Sequence, residues 1–469
     1  MMDFLTNIVF WDVLLLIIFT IGVTIFLYKR RKKIEREGPL FLYKTQIGVK
    51  ILDRLGKKFK RLWGILSYFI VAIGYVLMIS FTYLLIKSVI IYLVYPQITD
   101  LVKAPPLMLL FPYFNRFFGA SELFPDLHFI YFIIAIGVIA IVHEGFHGIY
   151  ARYHNVRIKS TGFGFLGPIL AFFVEQDDKQ MTKKKIFPQL SILAAGVFAN
   201  VITALLFFFL FWLLFTGCYA PYGINAMSYA SSIVPSAFLM NASITDEKIE
   251  VDGINVTKII VDDKSYLVSE DFFDIDLEEV EGVYVYQDQP AIRAGLRGTI
   301  ISINDNDIDS IDTLRNELDR YQVGEEVRIV TDYDDMLHVY DIELGESYEE
   351  EGRTVMGVGI GENLLWMFRI IEPFKDYGVE YRPKAAPEFT NFIYYLLAWI
   401  VLLNALVALF NMLPITIFDG GRFFYLTVLG LTKNKKMAGK SIEFMSWFLL
   451  LLALLIMASW VIRRFFIGI

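Results

Sequence analysis

The chain of 469 residues contains one cysteine, Cys218. A single cysteine excludes an intramolecular disulfide and a cysteine-based zinc site. Charge is also scarce: Asp, Glu, Lys and Arg make up 20% of residues against 56% hydrophobic ones, more apolar than a soluble protein of this size. The charges sit in blocks between long apolar runs, so the net charge of -7 describes no single surface. No inverted repeat is visible, which argues against a transporter built from two related halves. No small-residue cleavage site follows the first apolar run, Ile8–Tyr28. That run holds one acid, Asp12, and ends in basic residues, so it reads as a retained anchor rather than a signal peptide. The expected partner is a lipid bilayer, with no nucleic acid.

A spanning helix needs about 20 predominantly apolar residues. The runs that qualify are Ile8–Tyr28, Leu62–Ile86, Phe129–Tyr150, Leu190–Phe215, Phe392–Leu413 and Phe444–Ile462. The second continues apolar past Lys87 to Val94. Phe423–Leu431 is too short to span and is expected to continue the fifth helix after a break at Asp419-Gly420-Gly421. Basic residues set orientation. They concentrate in Lys29–Arg61, in Ala151–Gln189 and at Lys433–Lys440, which places those segments in the cytoplasm and both termini outside. Arg463-Arg464 is a mild exception. The acidic region Gly217–Thr390 then falls outside.

The third run ends in His143-Glu144-Gly145-Phe146-His147, an H-E-x-x-H pattern. Residues four apart share one helix face, so both imidazoles can meet one ion with Glu144 beside them. Two histidines and an acid at membrane depth are costly and mark function. In zinc peptidases of this pattern the Glu polarises the metal-bound water and then protonates the leaving amine. A catalytic zinc needs a third protein ligand. His128, His154 and His338 are placed poorly for it. Asp419 is better placed, in Phe410-Asn-Met-Leu-Pro-Ile-Thr-Ile-Phe-Asp-Gly-Gly-Arg422, where Pro414 and Gly420-Gly421 break the helix and let a carboxylate turn inward.

His143–His147, Asn411-x-x-Pro414 and Asp419-Gly420 together resemble the site-2 protease family of intramembrane zinc metalloproteases. The resemblance implies His143, His147 and Asp419 as Zn2+ ligands and Glu144 as catalytic acid/base. Gly196-Val-Phe-Ala-Asn200 is similar to a further family element, with Val197 where many members have proline. Asn200 and Asn411 are then expected to position substrate backbone or the oxyanion; helix-to-helix hydrogen bonding is the other reading. Ile158–Glu175 is too short to span. It reads either as a hairpin re-entering the membrane, whose strand edge would hold an unwound substrate extended, or as an amphipathic cytoplasmic loop.

In the outer region, Gln289-Pro-Ala-Ile-Arg-Ala-Gly-Leu296 and the residues to Ile308 resemble a PDZ pattern, followed by an expected helix Thr313–Tyr321 and strand Glu326–Thr331. Ile233–Val256 echoes the same pattern as a degenerate second unit. PDZ grooves take peptides by strand addition, so a peptide ligand is expected there. The reading is a polytopic α-helical membrane protein of about six spans with an inserted extracytoplasmic PDZ-like α+β domain. Its parts are an N-terminal pair of spans with their loops (1–127), a first core half (128–216), the outer domain (217–390), a second core half (391–431) and a last span (432–469). The expected activity is cleavage of transmembrane segments of other membrane proteins. Family habit suggests a prokaryotic plasma membrane, with the site toward the cytoplasmic face. A non-catalytic PDZ-bearing adaptor is the rival, opposed by an intact Glu144.

Overall fold

A computed structural model of the chain describes residues 8–38, 40–95, 105–108, 110–118, 124–166, 169–251, 254–278, 280–361 and 375–464. Among them, six helices are long and apolar enough to cross a membrane, one for each apolar run. They are α1 (Ile8–Arg30), α3 (Lys60–Val94), α4 (Phe129–Tyr153), α5 (Ile186–Cys218), α8 (Pro387–Asn411) and α10 (Lys435–Ile462). A shorter α9 (Asp419–Thr432) follows α8 after the expected break. Most of the helices outrun the apolar stretch that announces them. The longest, α3, continues without a break through Lys87 over 35 residues, about 52 Å. The chain divides into two compact units, one of 1–214 with 391–469 and one of 215–390.

Within the first unit the basic stretch after α1 is not a plain loop. It forms β1 (Ile34–Glu37), β2 (Leu40–Thr45) and a short helix α2 (Val49–Lys58). Ile158–Glu175 does form a hairpin, β3 (Ile158–Leu166) and β4 (Ile169–Gln176); Gly167 and Pro168 lie outside the described residues. The four strands make one antiparallel sheet in the order β1-β2-β3-β4, so β4 ends it. In lipid, apolar burial gives helices little reason to associate, and close packing has to do so. The core accordingly interlocks Trp63, Ile70, Tyr150, Ala194, Phe198 and Phe423 from α3, α4, α5 and α9. Arg152 at the end of α4 is ion-paired to Asp53 of α2.

The second unit is β-rich. Its seven-stranded sheet runs β14-β13-β11-β5-β17, with β12 on β11 and β18 on β5. These strands are β5 (Tyr219–Tyr229), β11 (Gly298–Ile303), β12 (Asn306–Asp307), β13 (Glu326–Tyr333), β14 (Met336–Glu343), β17 (Val358–Ile360) and β18 (Val379–Pro383), while β15 (Gly345–Glu346) and β16 (Thr354–Val355) pair with each other. The five-stranded sheet, β6-β10-β9-β8-β7, uses β6 (Ser231–Pro235), β7 (Ser243–Val251), β8 (Ile254–Val261), β9 (Lys264–Ser269) and β10 (Gly282–Gln287). The Pro-Ala-x-x-Ala-Gly pattern is a single helical segment, α6 (Pro290–Ala294). Pro290 starts it, and Gly295 ends it at φ +63°, a backbone conformation that disfavours other side chains. Helix α7 spans Ile311–Leu318. Ile224, Leu296, Ile300, Leu314 and Ile329 fill the core beside the larger sheet. The earlier echoing stretch supplies β6, β7 and β8 to the same sheet as β10; its Asp252-Gly253 lies outside the described residues. Strand β10 is bordered on both sides, by β6 along Gly282–Tyr286 and by β9 at Tyr286 and Gln287.

Candidate metal centre

Helix α4 carries His143 and His147 one turn apart, both buried. Their Nε2 atoms lie 3.1 Å from each other. Asp419 Oδ2 stands 3.4 Å from His143 Nε2 and 3.2 Å from His147 Nε2. Among the described residues these three are the group able to share an ion; His128, His154 and His338 are not part of it. The triangle fits zinc. Ligand distances of about 2.1 Å in a tetrahedron put donor atoms about 3.4 Å apart. Two nitrogen donors and one carboxylate oxygen leave a fourth position for water.

Asp419 reaches this point because α8 stops at Asn411 and α9 begins at Asp419 itself. The connecting turn is packed tightly. A Cβ on Gly420 would strike the Met412 and Leu413 backbone, and one on Gly421 the Ile415 backbone. Glycine at both positions therefore allows the approach that carries the carboxylate inward. Gly196 on α5 plays a related part. A Cβ there would sit 2.8 Å from His143 Nε2 and closer still to His147 Nε2, in the space that the donors face.

The outer nitrogens of both rings are engaged. His147 Nδ1 donates to the Ile192 carbonyl at 2.7 Å. That tautomer leaves the Nε2 lone pair for a metal. Asn200, fully buried, places its amide 3.0 Å from His143 Nδ1. Its Oδ1 is buried without a partner. Exchanging the two amide atoms, which have nearly the same shape, lets Oδ1 accept His143 Nδ1–H, the tautomer that leaves the Nε2 lone pair for a metal. Asn200 thus faces the back of the His143 ring. Asn411 is half-buried at the end of α8 and is not hydrogen-bonded to the triad.

Glu144 is half-buried, and its Oε2 accepts the backbone N–H of Val174 on β4 at 3.0 Å. This contact and the Ile192 carbonyl were not foreseeable from side-chain patterns, since each uses a main-chain group. His154 pairs with Ser191 at 2.7 Å, which joins the end of α4 to the start of α5.

A family model described as Peptidase family M50 matches residues 131–456, more than half the chain. Among curated proteins, none matches significantly.

Proposed function

Because the chain belongs to peptidase family M50, a family of membrane-embedded metalloproteases, we propose that it is an intramembrane zinc metalloendopeptidase that cleaves transmembrane segments of other membrane proteins. The observation that carries this reading is the triad of His143, His147 and Asp419 at zinc-compatible spacing, with Glu144 next to it in the same helix. Zinc bound there would act as a Lewis acid and lower the pKa of its water to about 7. Glu144 would take a proton from the attacking water at a carboxylate oxygen and return it to the departing amide nitrogen. Asn200 holds the His143 ring. Asn411, free of the triad, faces substrate backbone or the developing oxyanion.

A substrate helix must unwind before its peptide bonds are open to attack. Strand β4 ends its sheet. Side-by-side alternation puts the main-chain groups of Leu170 and Phe172 on the same edge as Val174 N–H, which meets Glu144. An unwound substrate paired there lies extended beside the catalytic acid. Basic residues between α1 and α3, between α4 and α5 and after α9 support a site toward the cytoplasmic face of the membrane, with both termini and the β-rich unit outside. The PDZ-like part of that unit takes an extended peptide. Strand β10 is bordered on both sides, so the outer edge of β14, which ends its sheet and exposes Leu337 and Val339, is the better acceptor.

The test is reconstitution with a model transmembrane substrate, comparing wild type with Glu144→Gln for zinc content and cleavage. The expected result is zinc in both and cleavage only in wild type. Cleavage by the variant would sink the mechanism. Zinc without cleavage of any substrate by wild type would favour a non-catalytic adaptor.

A further inference from the structure

Asp12 is the only acid in α1 and is 3% exposed. An acid at membrane depth is expensive unless paired, and no cation pairs with it in the described structure. Its carboxylate instead faces the start of α4. Oδ2 accepts the Phe129 N–H at 2.6 Å and the Tyr113 hydroxyl at 2.7 Å. Oδ1 accepts the Ile130 N–H at 2.9 Å. Those two N–H groups are among the four that a helix leaves without internal partners at its N-terminus. His128, at the capping position, gives no side-chain cap. The cap is supplied from another span, more than a hundred residues away in sequence. A carboxylate at the positive end of a helix dipole is favourable, and more so out of water.

Within α1 only Asp12 and Val23 are buried. Phe19 packs on Phe129 with ring centroids 5.5 Å apart. At its other end Phe26 packs on Tyr43 and Phe165, in the sheet whose β4 holds Glu144. We propose that Asp12 is a positioning residue for the reaction. It caps α4 from α1 and fixes the helix that carries His143, Glu144 and His147, about 21 Å along its axis. Asp12, Phe129 and Ile130 all precede the region that the family model matches. The proposal rests on the reading of α4 as the catalytic helix.

The test uses the full-length protein with Asp12→Ala, Asp12→Asn and Asp12→Ala combined with His128→Asp. The single variants are expected to retain zinc and KM. Asp12→Ala is expected to lose about tenfold in kcat per bound zinc, equivalent to about 1.4 kcal/mol. An aspartate at position 128 can accept the same N–H groups from the local cap position, so the combined variant is expected to regain most of the rate. A mere fold defect would reduce the yield of zinc-loaded protein and leave its kcat alone. Wild-type kcat in Asp12→Ala, or a loss that His128→Asp does not repair, overturns the proposal. Should Asp12→Ala not accumulate, Asp12→Leu, which likewise offers no acceptor, carries the same comparison; Asp12→Asn, whose Oδ1 still accepts an N–H, should keep most of the rate. Should wild type cleave nothing, the catalytic reading fails by itself. The cap is then read from amide hydrogen exchange of the segment that opens α4, which Asp12→Ala should speed at Phe129 and Ile130; unchanged exchange would refute the cap.

Discussion

Replacing Gly196 with alanine adds one methyl group where the Nε2 atoms of His143 and His147, the proposed metal donors, converge. The new Cβ would lie 2.8 Å from His143 Nε2 and Cε1 and nearer still to His147 Nε2, where ordinary contact begins at 3.4 Å. The rings must withdraw by more than half an ångström or α5 must move outward. Metal–ligand distances tolerate only about 0.2 Å, so at least one imidazole leaves bonding range. Disturbing only the partners behind a ligand costs about 10- to 100-fold in metal affinity. Displacing a ligand itself should therefore cost at least about 100-fold, with cleavage lost in parallel. Overpacking adds about 1–3 kcal/mol of destabilisation, so unfolding is monitored alongside. The assay is zinc content after dialysis against a graded chelator. Gly137→Ala, on α4 with nothing within 4 Å of its added Cβ, controls for the methyl group and should bind zinc as wild type does. Wild-type zinc affinity and cleavage in Gly196→Ala would refute the placement of the metal between α4 and α5.

Asp419→Ala should lose zinc on the same dialysis series while the six apolar helices stay inserted, as judged by protease accessibility of the loops. Gly421→Ala should lower thermal stability in detergent by about 1–3 kcal/mol or more, because its Cβ meets the Ile415 backbone. Burial, with Lys184 nearby, holds the pKa of His154 at about 4, below its usual 6.5. The folded protein keeps this ring neutral while the unfolded chain takes up a proton below 6.5. Stability should therefore fall as pH drops from 6.5 toward 4, and His154→Gln should flatten that part of the unfolding profile.

The sequence made the spans legible because hydropathy over twenty residues is a strong local signal. The histidine pair was legible because helical spacing alone puts both rings on one face. Asp419 was legible through its company: an acid in apolar sequence, between a proline and two glycines. Its closeness to His143 required the fold. Strand β1 was hidden because it is short and rich in charge, and β2 because its partner β3 lies more than a hundred residues later. The borders of β10 were hidden for the same reason, since β6 lies some fifty residues before it. Asp12 looked like a lone blemish in an anchor helix. Nothing near Phe129 advertises a missing cap except a histidine where serine or aspartate is commoner. Asn200 carried a motif, but its direction, toward the His143 ring rather than into open space, is a property of packing.

The most direct measurement is product analysis of a transmembrane substrate cleaved by purified wild-type protein in water labelled with heavy oxygen. The account predicts a cut within the apolar segment, one labelled oxygen in the new carboxylate, and no product with Glu144→Gln. A cut confined to the soluble flanks of the substrate, or labelled product from Glu144→Gln, would contradict it.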